Sequence, residues 1–416
     1  MKSRGEMEAE YDVIVVGAGA AGIGAARRLT AAGKRTLVVE ARDRVGGRTN
    51  TVNFHGHPYD LGAQFMHSAS LNPMVGIAEG MGRRVERTRL DWNSSRIPDR
   101  YDEADRREIV GTIEAFFELM DGPLDADPSV ADLLDRLPDQ RYRPFVEAIW
   151  TWISSREAEL CSAKDAARYN DTMEDWQVEG GYGSLILALS EGLEIALSCP
   201  VSVIRRTAGG VEIDSARGRL SAKQAVVALP SNILINEAVR FEPGLPSEIL
   251  EAVHAVPMGS AGKLLFRIAE PHPDLGRGAR LRASVTDRGT PSYHVSVFGA
   301  PILMGFFGGN AAKELEAAGT AAWADHAMEG LKSLLGSDVE KHLADPLTTG
   351  WSADPYSQGA YSAGTAGKAH LRPRLAEPFD ERIFLAGEHT SVEFFSTVHG
   401  AYLSGERAAD WVLEQG

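Results

Sequence analysis

The chain of 416 residues contains only two cysteines, Cys161 and Cys199, far apart and in no metal-like spacing. That excludes a disulfide framework and a structural zinc site, and no metal centre of any kind is expected. Two isolated thiols fit buried positions in a reducing compartment. Long apolar runs are missing as well. The longest, Val13 to Ala26, is short for a membrane span and holds four glycines. The opening MKSRGEMEAE is polar and acidic, without the apolar stretch of a signal peptide, and the closing WVLEQG carries no hydrophobic tail. An excess of basic charge is also lacking: Lys and Arg number 43 against 58 Asp and Glu, a net −15. A general nucleic-acid binder needs the opposite sign to displace counterions from phosphate. The expectation is a cytoplasmic protein with no nucleic-acid or membrane partner, whose acidity suits a small cationic ligand better than an anionic one. The oligomeric state is not legible.

What is present is ample apolar material, 44% of residues, and 43 glycines against the roughly 7% of average usage. Tyr11 to Val16 is a short β-branched run ending at glycine, a buried-strand pattern. Gly22 to Ala32 reads as a helix, and Thr36 to Glu40 as a second buried strand. A βαβ start implies a parallel sheet with helices on its faces. From about 81 to 180 the pattern is helical. Ile109, Ile113, Phe116, Phe117 and Met120 form one amphipathic stripe, and Ser129 with Asp132 reads as a capping box. That stretch has 14 basic and 23 acidic residues, so nine of the fifteen net negative charges lie in it, and solvated helix faces account for them most simply. After Gly180 strands dominate, at 201–205, 211–214, 225–229, 263–268, 294–298 and 303–307. A helical stretch at 311–335, a strand at 383–386 and a helix at 400–413 follow.

Gly17-Ala18-Gly19-Ala20-Ala21-Gly22 follows a strand and opens a helix. The first glycine permits the turn, the second lets a pyrophosphate approach the backbone, and the third allows close helix–strand packing, with the helix N-terminus facing the phosphate. Glu40 closes the next strand, 18 residues after Gly22, where a carboxylate can accept ribose hydroxyls. Directly downstream, Ala41-Arg42 leads to Gly46-Gly47-Arg48, a second close backbone approach with a guanidinium able to fork onto phosphate oxygens. A nicotinamide dehydrogenase does not need this second element; a larger dinucleotide held along its length does.

These motifs resemble the FAD-dependent amine oxidase family, which includes monoamine oxidases, polyamine oxidases and lysine-specific histone demethylases. The likeness spans five blocks, 11–49, 58–74, 179–185, 258–268 and 351–408. It implies an α/β fold, α+β overall: a Rossmann-like FAD-binding domain (8–80, 180–235 and 372–416) interleaved with a substrate-binding domain of mixed sheet and helices (81–179 and 236–371). Gly62-Ala63-Gln64-Phe65 looks like the segment whose backbone runs beside the flavin ring. His67 stands where animal and fungal polyamine oxidases have a histidine, followed by Asn72-Pro73 as in those enzymes. Such a histidine could accept a proton or orient the substrate. Plant polyamine oxidases have a Glu there, and L-amino acid oxidases place in this segment an Arg that is missing here, which disfavours an amino-acid substrate.

By the same resemblance Gly180 to Leu185 is the return into the FAD domain, and the backbone of Val203 contacts adenine. Lys263 matches the lysine that holds a water next to flavin N5, where a cation assists reoxidation by O2. Trp351 and Tyr361 match an aromatic wall, Tyr361 being one plate of the cage that brackets the amine. Ala360 stands where monoamine oxidases carry the cysteine that tethers the flavin, so the FAD is expected to be non-covalent. Gly387-Glu388 and Thr397-Val398 match the C-terminal flavin contacts: the Glu bonds the ribityl chain, and the helix N-terminus points at flavin O2. Thr397 replaces the second cage Tyr of monoamine oxidases, in a Thr-Val-His-Gly-Ala run like that of the demethylases, which predicts a wider mouth.

The expected activity is oxidation of a polyamine, diamine or other primary or secondary amine to an imine, with O2 reduced to H2O2. Two alternatives use the same cofactor domain: a carbon–carbon desaturase or isomerase of the carotenoid desaturase type, and a non-oxidase FAD-bearing interaction protein. The first of these has no use for Lys263 or Tyr361.

Overall fold

The computed structural model describes residues 10–87, 95–124 and 126–415. Most of the polar N-terminal stretch lies outside them. The chain divides into two compact units, one comprising 1–50, 182–257 and 370–416, the other 51–181 and 258–369.

The first unit is built on an eight-stranded sheet. Its order is Arg240–Glu242, Val201–Arg206, Val211–Ser215, Gly218–Val227, Tyr11–Val16, Thr36–Val39 and Glu194–Ala196, with Ile383–Leu385 pairing Gly218–Val227. Tyr11–Val16 runs parallel to both neighbours, as the βαβ opening requires. Val13, Ile14 and Val15 have no exposed surface, a burial that contributes about 1.5–3 kcal/mol for each such side chain.

Helices Ala20–Ala31 and Val398–Glu414, from opposite ends of the chain, pack against each other at glycine. A Cβ on Gly405 would lie 1.9 Å from the Ala21 carbonyl oxygen, and one on Gly24 would lie 2.5 Å from that of Tyr402. The helices therefore meet backbone to backbone.

In the second unit, residues 97–166 form a helical core around Phe116, Tyr142, Phe145 and Ile149. The predicted stripe is the buried face of helix Glu103–Asp121, with Phe117 only partly buried. The predicted capping box opens Val130–Leu134: the Ser129 hydroxyl accepts from Asp132 N–H, and the Asp132 carboxylate accepts from Ser129 N–H. A five-stranded antiparallel sheet runs in the order Arg280–Leu281, Ser292–Val295, Ile302–Gly308, Ala261–Ile268, Leu343–Thr348. It packs on Thr320–Leu335 through Trp323, Ala327 and Leu331. The helical stretch foreseen at 311–335 is two helices, Gly309–Ala318 and Thr320–Leu335, broken at Gly319, which sits at φ +90°. A three-stranded ladder, Phe65–Met66, Trp176–Val178, Val85–Glu86, completes the unit.

Two stretches sit in other units than their place in the chain suggests. Residues 51–80, expected with the first domain, belong to the second unit, where Phe54 and Tyr59 of the hairpin Thr51–Phe54/His57–Asp60 pack on Leu265, Ile302 and Met304. Residues 236–257, expected with the substrate domain, belong to the first, because Ile249, Ala252 and Val253 fill the core under its sheet. Among the described residues, no helix is long and apolar enough to cross a membrane.

The backbone contact of the two helices carries a direct test. Gly405→Val should destabilise the protein by about 1–3 kcal/mol through overpacking. Thermal unfolding followed by circular dichroism should show a lower Tm, whereas the same change at Gly76, where a Cβ meets nothing within 4 Å, should cost less.

Candidate active site

In the first unit the glycine motif forms a cradle. Gly17 is at φ +102°, and a Cβ there would stand 2.7 Å from the carbonyl oxygen of Ala228. A Cβ on Gly22 would stand 1.8 Å from the Gly17 carbonyl oxygen, so the third glycine is required for helix to meet turn. Gly19 is different: a Cβ there would meet nothing within 4 Å. Gly19 caps helix Ala20–Ala31 without a side-chain hydrogen bond, so the first-turn N–H groups, with Ala20 and Ala21 leading, are left to an anion.

The second glycine pair folds onto this turn. Gly46 N–H donates to the Ala18 carbonyl at 2.9 Å, and Gly47, at φ +57°, would place a Cβ 3.3 Å from the Gly19 Cα. The carboxylate of Glu40, almost fully buried, accepts from Ala18 N–H at 2.7 Å and from Arg42 N–H at 2.9 Å, fixing the end of strand Thr36–Val39 beside the turn. Ala41 lies between these anchors. Arg48, expected to fork onto phosphate, donates to the Glu388 carboxylate at 2.9 Å and so ties the second glycine motif to the C-terminal one. The other Glu388 oxygen accepts from Ser396 N–H at 2.9 Å. Gly387 N–H, in turn, donates to the Ser404 hydroxyl at 2.8 Å.

Val203 lies inside the ladder, opposite Asp214 on one side and Arg240 on the other, and its side chain is buried. Ser198-Cys199 runs along Glu40: Ser198 N–H donates to the Arg42 carbonyl and Cys199 N–H to the Glu40 carbonyl, both at 2.7 Å. The Thr397 hydroxyl is committed to its own helix, donating to the Phe394 carbonyl at 2.7 Å and accepting from Gly400 N–H at 3.1 Å. It is the N-cap of Val398–Glu414, with buried Val398 as first residue.

In the second unit Lys263 lies mid-strand in Ala261–Ile268 and is 4% exposed. Its ammonium donates to the Asp60 carbonyl and to the Gln64 side-chain oxygen, each at 2.8 Å, and lies 5.9 Å from the centre of the Tyr59 ring. Burial pulls its pKa down to about 8. The Gln64 amide donates onward to the Gln177 side-chain oxygen at 2.8 Å, so Gln177 fixes which end of Gln64 faces the lysine. Gly62, Ala63 and Phe65 flank Gln64 and are partly exposed. Phe65 lies 6.0 Å from the rings of both His67 and His294.

His67 is paired through Nδ1 with Asp175 at 2.5 Å. Burial lowers its pKa, but Asp175 and then Asp171 outweigh that, so the net shift is upward. Tyr361 donates its hydroxyl to the Trp152 carbonyl, and its own carbonyl accepts from Ser155 Oγ at 2.9 Å and Gly259 N–H at 3.1 Å. Burial raises the phenol pKa, so the ring stays neutral. Ala360 N–H donates to the Gly259 carbonyl at 2.8 Å, and Trp351, buried, accepts from Gly359 N–H at 2.9 Å. The loops 258–260 and 359–362 thus form one platform for the aromatic wall. The motifs did not reveal Asp175, Gln177, Tyr59 or Trp152, which act as partners of residues that they did reveal. Only the cross-strand position of 175 and 177 opposite 65–67 could have signalled the first two.

The open space at Gly19, the uncapped helix start and the Glu40 carboxylate fit a dinucleotide flavin, with Gly17 to Gly22, Glu40 to Arg42, Gly46 to Arg48 and Gly387-Glu388 as its holders. This defines a flavin-dinucleotide oxidoreductase. The profile of the flavin containing amine oxidoreductase family matches residues 20–167 and 124–413. The chain is 31% identical to polyamine oxidase 2 of Arabidopsis thaliana, over 96% of its length and 87% of the relative's. It is 30% identical to polyamine oxidase 4 of Oryza sativa subsp. japonica, over 96% and 88%. A solved structure of putrescine oxidase, a single mutant from a structure-based redesign of cofactor binding, superposes with a TM-score of 0.82 at 20% identity, covering 98% of this chain and 99% of that one. The chain belongs to the flavin-containing amine oxidoreductase family, and it is an FAD-dependent amine oxidase.

Glu40 is the most direct test of the cradle. Glu40→Ala removes a charged partner of two backbone N–H groups, each such bond contributing about 1.5–3 kcal/mol. Titrating the apoprotein with FAD should show at least a tenfold rise in Kd, while Val203→Ala should leave Kd nearly unchanged.

Proposed function

We propose that this enzyme oxidises a di- or polyamine in the cytoplasm, passes the electrons to O2 with release of H2O2, and holds its FAD without a covalent bond. The observation that carries the oxidase reading is the buried ammonium of Lys263, hydrogen-bonded to two neutral oxygens, the Asp60 carbonyl and the Gln64 amide. The named activity of the two plant relatives and the carboxylate-backed His67 support the polyamine class.

When bound, FAD supplies the two-electron redox chemistry. The chain supplies the rest. An alkylammonium has a pKa near ~10 and reaches the enzyme as a cation, yet it must lose a proton before its α-carbon can give up a hydride. Tyr361, Trp351 and Phe65 offer apolar and aromatic surface that accepts the cation and, by excluding water, favours its neutral form. His67 has one ring nitrogen bound to Asp175 and the other left for substrate. Two of the three ammonium N–H bonds of Lys263 are held, and the third remains for a water or O2. A fixed positive charge there stabilises the negative charge that develops as O2 takes electrons.

An anaerobic panel of polyamines, diamines, monoamines and cyclic amines tests the class: the di- and polyamines should bleach the flavin fastest, and H2O2 should appear once air is admitted. If no amine bleaches it, the reading is wrong. Lys263→Met should slow reoxidation by O2 by roughly 10²-fold or more, with the reductive half-reaction little changed. The lysine is cationic below about 8 and neutral above. Wild-type reoxidation should therefore decline as pH rises through that value, and the Lys263→Met rate should stay flat in stopped-flow measurements.

A further inference from the structure

Phe65–Met66 and Trp176–Val178 pair antiparallel, with Phe65 opposite Gln177 and Met66 opposite Trp176. One step further along this register brings His67 opposite Asp175, and there their side chains meet, Nδ1 to Oδ1 at 2.5 Å. The pair has a direction, since the Asp175 side chain is 14% exposed and that of His67 is 44% exposed. The carboxylate stands behind the ring, and the ring faces outward. The backbone on either side is equally constrained. The His67 carbonyl accepts from Asn72 Nδ2 at 3.0 Å, while Asn72 Oδ1 caps helix Pro73–Gly80 at Met74 N–H. Ser68, at φ +48°, donates its hydroxyl to the Asn170 carbonyl at 2.8 Å. The Asn72-Pro73 pair is thus the anchor of this histidine as well as the start of a helix.

We infer that Asp175 is a positioning residue, which locks His67 in the tautomer and orientation that present a bare Nε2 to the amine substrate. The inference rests on the reading of His67 as a substrate-facing group. With Nδ1–H donating to Asp175, the neutral imidazole carries its only proton on Nδ1, so Nε2 is an acceptor for an amine N–H. Without the carboxylate both tautomers are populated and the ring can turn. The negative charge has a second effect. A protonated His67 paired with Asp175 is neutral as a unit, so an approaching ammonium meets no net repulsion.

Among the described residues, the other groups named around the ring are also acidic or neutral. They are Asp171, whose carboxylate accepts from Met173 N–H at 2.7 Å, Asp121, which acts on Asp171, and Glu174, which accepts from Ser70 N–H at 3.1 Å. The Tyr169 hydroxyl lies 3.4 Å from the Ser68 hydroxyl. Asp171 is the weaker influence on the ring and has no hydrogen bond to it.

Asp175 and Asp171 hold the imidazole above its ordinary value, so the base form of His67 is fully present only above that raised pKa and is lost as pH falls through it. Asp175→Asn should therefore move the acid limb of kcat/KM to lower pH. It should also reduce the plateau by roughly tenfold or more, because orientation is lost. Asp171→Asn should shift the limb less and leave the plateau alone. The decisive measurement is made on the FAD-loaded enzyme by 15N-histidine NMR, with the His67 signal assigned by its disappearance in His67→Gln. Wild type should show an Nδ1-protonated ring titrating above 6.5. Asp175→Asn should show a lower pKa and mixed tautomers, and Asp175→Glu should restore the single tautomer. Circular dichroism and flavin content confirm that each variant is folded. An unchanged tautomer and pKa in Asp175→Asn would overturn the inference. If the NMR changes appear but His67→Gln leaves kcat/KM intact at all pH values, the substrate-facing reading of His67 falls and takes the catalytic purpose of Asp175 with it, although the pairing stands.

Discussion

The first unit depends on two helices touching without a side chain between them. Ala20–Ala31 begins at the phosphate cradle and Val398–Glu414 at the Thr397 cap, and both N-termini are placed by the contact at Gly24 and Gly405. The same constraint acts at each helix start. A Cβ on Gly22 would strike the Gly17 carbonyl, and one on Gly400 would lie 1.8 Å from that of Phe394. Glycine in a helix interior costs about 1 kcal/mol relative to alanine. Four of them in two helices are a net cost in propensity, offset by burial of both helix backbones and by the fixed direction of two helix dipoles. Part of the glycine excess is therefore spent on aiming peptide N–H groups at a cofactor and not on flexible turns. The Arg48–Glu388 pair acts in the same sense, joining residues 340 positions apart so that the N-terminal and C-terminal flavin motifs are one rigid piece.

The second unit is organised by the opposite problem, a charge in the wrong place. Burying an ammonium costs several kcal/mol unless its donors are met. Lys263 meets two of them with neutral oxygens, the Asp60 carbonyl and the Gln64 amide. Burial depresses its pKa to about 8, against the opposing pull of the Asp60 carboxylate. The cation thus keeps most of its electrostatic reach for whatever negative charge arises beside it. Gln177 completes the arrangement by accepting from Gln64, so the strand that supplies Asp175 to His67 also supplies, two residues on and on the same face, the group that orients the partner of the lysine.

What could be read in advance follows from how each feature is built. The glycine cradle, Glu40 and the helix starts are local: a strand, a turn and a cap are written within a short stretch of chain, and the Ser129 capping box is of the same kind. Lys263 was legible through the likeness of the 258–268 block to the family. The partners were not legible, since Asp175 and Gln177 acquire meaning only from strand register, and a separation of 108 residues leaves no local trace. The hydrogen bonds of Ser198 and Cys199 to Arg42 and Glu40 are of the same non-local kind. The contact-defined units differ from the domain bounds implied by the resemblance at 51–80 and 236–257, because hydrophobic contacts tie each stretch to its unit.

The net charge is clarified in the same way. Much of the acidity of the helical segment is spent within it. Asp105 accepts from Tyr142 and pairs with Arg141, Glu108 pairs with Arg141, and Arg143 bridges Asp135 and Glu147. Asp102, Asp105 and Asp132 cap helices. The exposed pairs among them, such as Arg141–Glu108, contribute at most about 1 kcal/mol each and exert little field beyond a Debye length, while Arg143–Glu147 is largely buried. They account for solubility and helix starts, not for recognition of a cation. The acids that act on His67 lie at the end of the segment, Asp175 and more weakly Asp171, where the chain leaves the helices for the ladder. The electrostatic environment of His67 is therefore set chiefly by one carboxylate placed by strand register, Asp175, and not by the sum of −15.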